Sequence, residues 1–225
     1  RGSSETIRNY GFVLAALIGL PLAIWRSSIA NSQAKSAQNQ TVNSQEQTKI
    51  LANNHLAETY TKAIDQIGNN KEAIQLGGLY ALEKIAQNSH DYHRQIMEVL
   101  CSFVRLHAPQ AQEEPLDEES RTAIEPKTLL IKVQTALTII GRRNTDHDTS
   151  PDGKNKVVID LTKTDLRWAK LEEAKLGGAY LLAANLTRAS LFEANLTEAI
   201  LVATNLAWAD LTGAELTGAN LTKAS

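Results

Sequence analysis

The side chains with the most evident chemistry are histidines. His90 and His93 flank Tyr92 at a spacing of three, and His107 follows one helix length later. Two histidines at i and i+3 share a helix face and can ligate a metal, but no third ligand is identifiable. Both are read as residues of a helix's first turn. A second cluster, "TDHDTSPDGKNK", gathers Asp146, Asp148 and Asp152 near Gly153. It lacks the glycine and terminal glutamate placement of a calcium loop, so it is read as a linker. The one cysteine, Cys101, lies in an apolar helical pattern and permits neither a disulfide framework nor a cysteine metal site within one chain. No nucleophile elbow, phosphate-cradling glycine loop or zinc helix is present. The expectation is a protein that is not an enzyme, with no cofactor and no small-molecule substrate.

The elements that carry these residues emerge from pattern. A chain of 225 residues can build one or two compact domains. Its formal net charge of −2 marks neither a nucleic-acid binder nor a strongly acidic mimic. The chain starts at Arg1 and stops in mid-pattern at Ser225, as a fragment of a longer protein would.

After a flank at residues 1–9, "YGFVLAALIGLPLAIW" carries no charge, is bracketed by Tyr10 and Trp25, and has Arg8 and Arg26 just outside. Aromatic ends with basic flanks predict a transmembrane helix over residues 10–26. Sixteen helical residues reach about 24 Å, short of a hydrocarbon core of about 30 Å. Snorkelling by Arg26 and continuation through Ala30 make up the difference, and Pro21 would kink the helix. The rival readings are a signal peptide, with "SIA" at 28–30 as its cleavage site, and a buried soluble helix. Residues 27–49 are polar, contain neither proline nor glycine and show little apolar period. They predict a stalk, exposed and helical or partly disordered.

Residues 50–142 repeat their apolar residues at spacings of three and four, which predicts a small α-helical domain. The stripes are Leu56, Tyr60, Ala63, Ile64 and Ile67; Ala73, Ile74, Ala81, Leu82 and Ile85; Tyr92, Ile96, Val99, Leu100, Phe103 and Val104; and Leu130, Val133, Ala136, Leu137 and Ile140. Gly77 and Gly78, costly inside a helix, predict a close backbone approach. The acidic "PQAQEEPLDEESRTAIEP" reads as a solvated loop, and residues 143–156 as a linker into the C-terminal segment.

From Leu161 to Leu221 a leucine stands at every fifth position, and two residues before each but the first, where Ile159 stands, is a small residue, usually alanine. Five residues advance an α-helix by about 140° net, so the leucines would spiral without forming a stripe. In a straight strand an odd period sends successive leucines to opposite faces. A chain that turns a corner once per repeat buries them all: alanine and leucine, two apart, point inward, and the other three positions point outward. Stacked coils then satisfy one another's backbone.

The units "AANLT", "EANLT", "WADLT" and "GANLT" resemble the pentapeptide repeat family over residues 157–225. The resemblance implies a right-handed, quadrilateral β-helix with four pentapeptides per coil, here about three coils and about 15 Å tall. The helical segment and the N-terminal apolar segment are similar to those of bacterial membrane-anchored members. The fold class expected is therefore α+β and multidomain: membrane helix, polar stalk, α-helical domain and β-helix. Such members imply a membrane location with the soluble part on the cytoplasmic side.

With twenty residues per coil, Tyr180, Leu182, Ile200 and Val202 share a wall as an apolar patch, a mark of contact surfaces. In the same register Trp168, Arg188 and Trp208 form a column suited to cation–π stacking, with the guanidinium between two indoles. The patch fits an unidentified protein partner, self-association, or the chain's own helical domain; the column also fits a role confined to stiffening a corner. The functional expectation is a membrane-anchored, non-enzymatic scaffold for protein–protein interaction. One alternative is a DNA-mimicking, gyrase-binding topoisomerase inhibitor. Eight acids against six bases from Val157 onward mimic a duplex badly. The other is an accessory part of a membrane enzyme or transport system.

Overall fold

The structure, a computed structural model, describes the backbone of residues 2–110, 129–150 and 152–225, and within these the side chains from residue 21 onward. Two compact units divide the chain, residues 1–56 and residues 57–225.

The first unit is helical. Helix α1 spans Gly2–Ile67 with Pro21 inside it. Between Pro21 and Ile67 there is no further glycine or proline to break it. The stalk residues 27–49 are helical throughout and, with the rest of residues 21–55, exposed. Thr41 and Thr48 each donate their hydroxyl to the carbonyl four residues back, at 3.0 and 2.9 Å. Among the described residues no helix is long and apolar enough to cross a membrane. The expected span at 10–26 falls mostly on residues 10–20, whose side chains lie outside that description.

The second unit begins with the last turns of α1. It continues through α2 (Glu72–Asn88), α3 (His90–His107) and α4 (Ile131–Gly141). The acidic loop expected after Pro109 lies for the most part outside the described residues. The breaks occur where the polar residues predict them: α1 stops before "GNN", and Ser89 takes an extended conformation between α2 and α3. Helix packing buries Ala63, Leu82, Ile85, Ile96, Leu100, Val104, Val133, Leu137 and Ile140. The expected α2 stripe is rotated, however. Its buried face runs through Gln75, Gly78, Leu79, Leu82, Glu83, Ile85 and Ala86, while Ala73 and Ile74 are exposed. The sequence pattern treats every apolar residue as equal, whereas the packed face admits Gln75, whose amide donates to Ile67 O at 3.2 Å. Leu130 is likewise exposed, because it stands at the N-cap of α4 rather than inside it.

The close approach predicted by the paired glycines occurs at one of them. A Cβ on Gly78 would lie 2.8 Å from Ala63 O and 2.9 Å from Ile67 Cγ2, whereas one on Gly77 would meet nothing within 4 Å. Gly78 is the notch in α2 against which α1 packs.

The repeats wind into a solenoid. Its coils touch through isolated parallel bridges between residues twenty apart, from Asp160–Tyr180 to Ile200–Asn220. Four pentapeptides therefore make one coil. Among the described residues the ladder forms no extended strand, because a chain that pivots every five residues has room for only one bridge per side. Leu161 through Leu201 are all buried, as are Ala169, Ala174, Ala179, Ala184, Ala189, Ala194 and Ala199. The two threonines among the alanines, Thr164 and Thr204, are fully buried, and each donates its hydroxyl to a carbonyl, Leu161 O and Leu181 O respectively.

Many corners have a side-chain brace. Where Asn or Asp precedes the leucine, it accepts the backbone N–H two residues on: Thr187 donates to Asn185, Thr197 to Asn195, Ala207 to Asn205 and Thr212 to Asp210, each at 3.0 Å. The second residue after each leucine lies in the left-handed region. Ten of these are not glycine, including Ala183 at φ 53°, Arg188 at 59° and Trp208 at 63°. The turn closes when the following residue donates back to the leucine carbonyl, as Ala189 does to Leu186 O at 2.9 Å.

The helices cap the first coil. Within the solenoid, an outward residue on each side donates to the carbonyl of the coil before it: Asn185 to Thr164 O and Asn195 to Ala174 O. The first coil has no coil before it, and helical residues supply the acceptors. Asp165 N donates to Ala108 O, Lys170 N to Gln134 Oε1 and Lys175 N to Gly141 O, at 2.8, 2.9 and 2.9 Å. The ends of α3 and α4 and one side chain of α4 thus complete three sides of a coil, which satisfies amides that would otherwise be orphaned.

Candidate functional site

The outer wall of the solenoid holds the apolar patch. Tyr180 and Ile200 form a direct parallel bridge, and Ala183 N donates to Val202 O at 2.9 Å in the next coil. Tyr180 and Leu182 are 40% and 39% exposed, and Ile200 and Val202 are half-buried. The hydrogen bonds and ion pair that join the helices to the solenoid fall on residues 160–175: those already given, Gln110 N to Lys163 O, and Arg105 with Asp160 at 2.9 Å. The helical domain sits on the end of the solenoid. The helices use their carbonyls where a preceding coil would stand.

The aromatic column is present in part. The guanidinium of Arg188 lies over the Trp168 ring, 4.7 Å from its centroid. Trp208 is 84% exposed, and among the described residues this is the one cation–π contact. The expected sandwich between two indoles is therefore a one-sided stack. All three residues occupy left-handed corners, so their direction is set by the turn.

The polar residues first met as chemical candidates converge elsewhere. His93 is fully buried in the first turn of α3, with Nδ1 3.1 Å from Ala86 O and Nε2 3.1 Å from Asp148 Oδ1. Both ring nitrogens thus face hydrogen-bond acceptors. His147 also reaches Ala86 O, at 3.2 Å, and stacks on His90 with ring centroids 4.8 Å apart. Ala86 lies in the last turn of α2, where carbonyls lack helical partners and the dipole favours positive charge. The histidines thus finish a helix end. Stacked rings do not converge on a point, and among the described residues no group of three has metal-holding geometry.

Arg143 ties this cluster together. It is almost fully buried, donates to both carboxylate oxygens of Asp148, and donates also to Ile140 O and to Lys175 O on the first coil. Burial, the largest influence on Asp148, pushes its carboxyl up, but hydrogen bonds from His93 and Arg143 together with their charge hold it below the usual range. Neighbouring Arg142 pairs bidentately with Glu83 at 2.6 and 2.7 Å. The segment expected to be a linker therefore holds two members of a buried network. The periodicity of leucine and alanine gives no sign of it, because its members come from four separate stretches. Burial pushes the Cys101 thiol up to about 11, so it is a core residue with little thiolate.

The comparisons with known proteins fall on the solenoid. The family profile for pentapeptide repeats matches residues 164–201 and 189–225, with eight copies. No curated protein matches the chain. Among solved structures, a pentapeptide repeat protein from the Arabidopsis thaliana thylakoid lumen is 31% identical, covering 29% of this chain and 48% of its own, with a TM-score of 0.20. Rfr23, a pentapeptide repeat protein from the cyanobacterium Cyanothece 51142, is 32% identical over 31% of this chain and 54% of its own, TM-score 0.19. HetL from Nostoc sp. strain PCC 7120, a pentapeptide repeat protein involved in heterocyst differentiation regulation, is 28% identical over 38% of this chain and 41% of its own, TM-score 0.17. The chain spans about half the length of the solved proteins it matches. Residues 164–225 of this chain match the pentapeptide repeat profile and are similar to solved pentapeptide repeat proteins.

Proposed function

We propose that this protein is a membrane-anchored, non-enzymatic scaffold whose solenoid wall binds another protein. The single observation that carries the reading is the capping geometry. The polar contacts of the helices fall on the end of the solenoid, and on its side Tyr180 and Leu182 are exposed while Ile200 and Val202 are half-buried. The interior supports the same reading, because leucine and alanine fill it and leave no room to place reactive groups. The solenoid is taken as right-handed, as the resemblance implies. The uncharged run of residues 10–25, with aromatic ends and with Arg8 and Arg26 outside it, supports an anchor, and the resemblance to membrane-anchored members supports a soluble part on the cytoplasmic side.

The test has two arms on the full chain. Sodium carbonate extraction of membranes should leave the protein in the pellet, and deletion of residues 10–26 should release it; release of the intact chain overturns the anchor. In the second arm, Leu182→Glu with Ile200→Glu should abolish recovery of a specific prey from native membranes without changing the melting temperature. A prey profile indifferent to both substitutions overturns the wall as the binding surface.

A further inference from the structure

A second surface lies where helices and solenoid meet. A groove of about 470 Å³ is lined by Tyr80 of α2, by Ile131, Gln134, Thr135, Thr138 and Arg142 of α4, by Leu129, and by Trp168 and Lys170 of the first coil. The volume falls within the range of ligand-binding clefts, which combine apolar walls with a few directed polar groups. Here Tyr80, 52% exposed, and Trp168 supply aromatic walls, and Ile131 supplies an apolar one.

Most of the polar lining is already committed. Gln134 donates to Lys170 O and accepts from Lys170 N, and Thr135 and Thr138 donate to carbonyls of their own helix. Two cations keep donors available. The Lys170 amine is exposed, and no ion pair among the described residues involves it. Arg142 gives Nε and Nη2 to Glu83, which leaves Nη1 able to donate. Of the carboxylates nearby, Glu83 is neutralised by Arg142, while Glu172 and Glu173 line the adjoining pocket that also holds Lys175. Arg188, stacked on Trp168, holds that indole at the groove wall and adds a third positive charge beside it. Next to the groove, Leu130 is 50% exposed, and with Ile131, 61% exposed at the wall, it extends the apolar surface beyond what one small molecule would cover.

We infer that this groove binds an acidic peptide segment of a partner protein, seating an aromatic or leucine side chain between Tyr80 and Trp168 and a carboxylate on Lys170 and Arg142. The occupant is chosen by charge complementarity: apolar walls call for an apolar side chain, and unneutralised cations at the rim call for a carboxylate. The inference deepens the scaffold reading by naming the partner's chemistry, and it rests on that reading only in taking the partner to be a protein.

The test uses the full chain in detergent and a short fluorescein-labelled peptide alternating glutamate with leucine and phenylalanine, read by anisotropy. Saturable binding is expected, weakened at least about tenfold by Lys170→Glu and by the groove-filling Thr138→Trp. A twin peptide with glutamine in place of glutamate should bind at least about tenfold more weakly, which separates carboxylate recognition from apolar sticking. Melting curves of each variant confirm that the fold is intact, and Lys170→Gln should weaken binding less than Lys170→Glu. Leu182→Glu should leave the anisotropy curve unchanged, so the wall and the groove fail independently. Absence of saturable binding, equal affinity for the two peptides, or affinity indifferent to Lys170→Glu each overturns the proposal. So does a Lys170-dependent dimer of the chain alone by light scattering, which would assign the groove to a second copy.

Discussion

The two halves of the second unit reach a buried core by opposite routes. The solenoid repeats one solution thirteen times, an inward leucine followed two residues on by a left-handed corner, with a small inward residue in all units but the first and an Asx contact in seven of them. Its interior is apolar but for Thr164 and Thr204, each paired with a carbonyl. The helical cap repeats nothing. Its core includes Gln75, Glu83, His93 and Arg143, and each is held by a partner met once. The difference teaches where each half is vulnerable. Damage to the solenoid should be graded by position, since each coil depends on its neighbours. Damage to the cap should be abrupt, since one buried charge left unpaired costs more than one missing methyl group.

The largest effect is expected at the joint. Arg143→Met removes the charge that neutralises Asp148 and the donors to Ile140 O and Lys175 O. Leaving a buried ion without its partner costs about 3–5 kcal/mol. Urea unfolding should report a loss of that size, and a loss below about 1 kcal/mol would show that the network contributes little. Adding Asp148→Leu should recover part of the loss, because the orphaned carboxylate is then gone.

Next in size comes the ladder. Leu186 is fully buried in the middle of the solenoid, whereas Leu216 is half-buried in the last coil. Leu186→Ala should cost about 3 kcal/mol and Leu216→Ala about 1, by the transfer and cavity terms for a buried and a partly buried side chain. Equal losses at the two positions would mean that the coils unfold as one block with no gradient along the axis.

The two halves should also separate in acid. Asp148 has its folded pKa lowered, so the stability it contributes is present above the ordinary carboxylate value of 3.8 and is lost as pH falls through the lowered one. The apolar ladder has no comparable group inside it. Far-UV circular dichroism during acid titration should lose helix below about pH 4 before the solenoid loosens. Asp148→Asn should flatten that acid limb, and a limb of unchanged slope would place its origin in other carboxylates.

How much of this was legible in the sequence differs between the halves for the same reason. A period of five repeated without a break fixes which positions are inward, and Leu161 to Leu201 are buried as read. The cap offers only helical stripes of a few residues each. These locate the helices, yet they place Ile74 and Leu130 on buried faces when both are exposed. Arg143, Asp148 and His93 meet through folding rather than through spacing, and no local pattern relates positions 93 and 148. The wall column was legible in register but not in detail: Arg188 does lie on Trp168, while the direction of Trp208 depends on corner geometry that register alone does not give.

The smallest effect tests the corner itself, the feature that the solenoid has and the cap lacks. Ala183 and Ala184 are neighbours in sequence with opposite duties. Ala183 occupies a left-handed corner at φ 53°, where an L side chain is strained. Ala184 is 1% exposed, points into the ladder and is not among the positive-φ residues. Glycine at position 183 relieves the strain and raises chain entropy in the unfolded state. The first term is the larger, so Ala183→Gly should stabilise by about 0.5 kcal/mol. Glycine at position 184 relieves nothing, removes a buried methyl and raises the same entropy, so Ala184→Gly should destabilise by about 1–2 kcal/mol. Opposite signs from one substitution at adjacent alanines are the signature of a chain that pivots at every fifth residue. If both substitutions destabilise equally in urea, the corners carry no strain, and the tolerance of ten non-glycine residues there needs another cause.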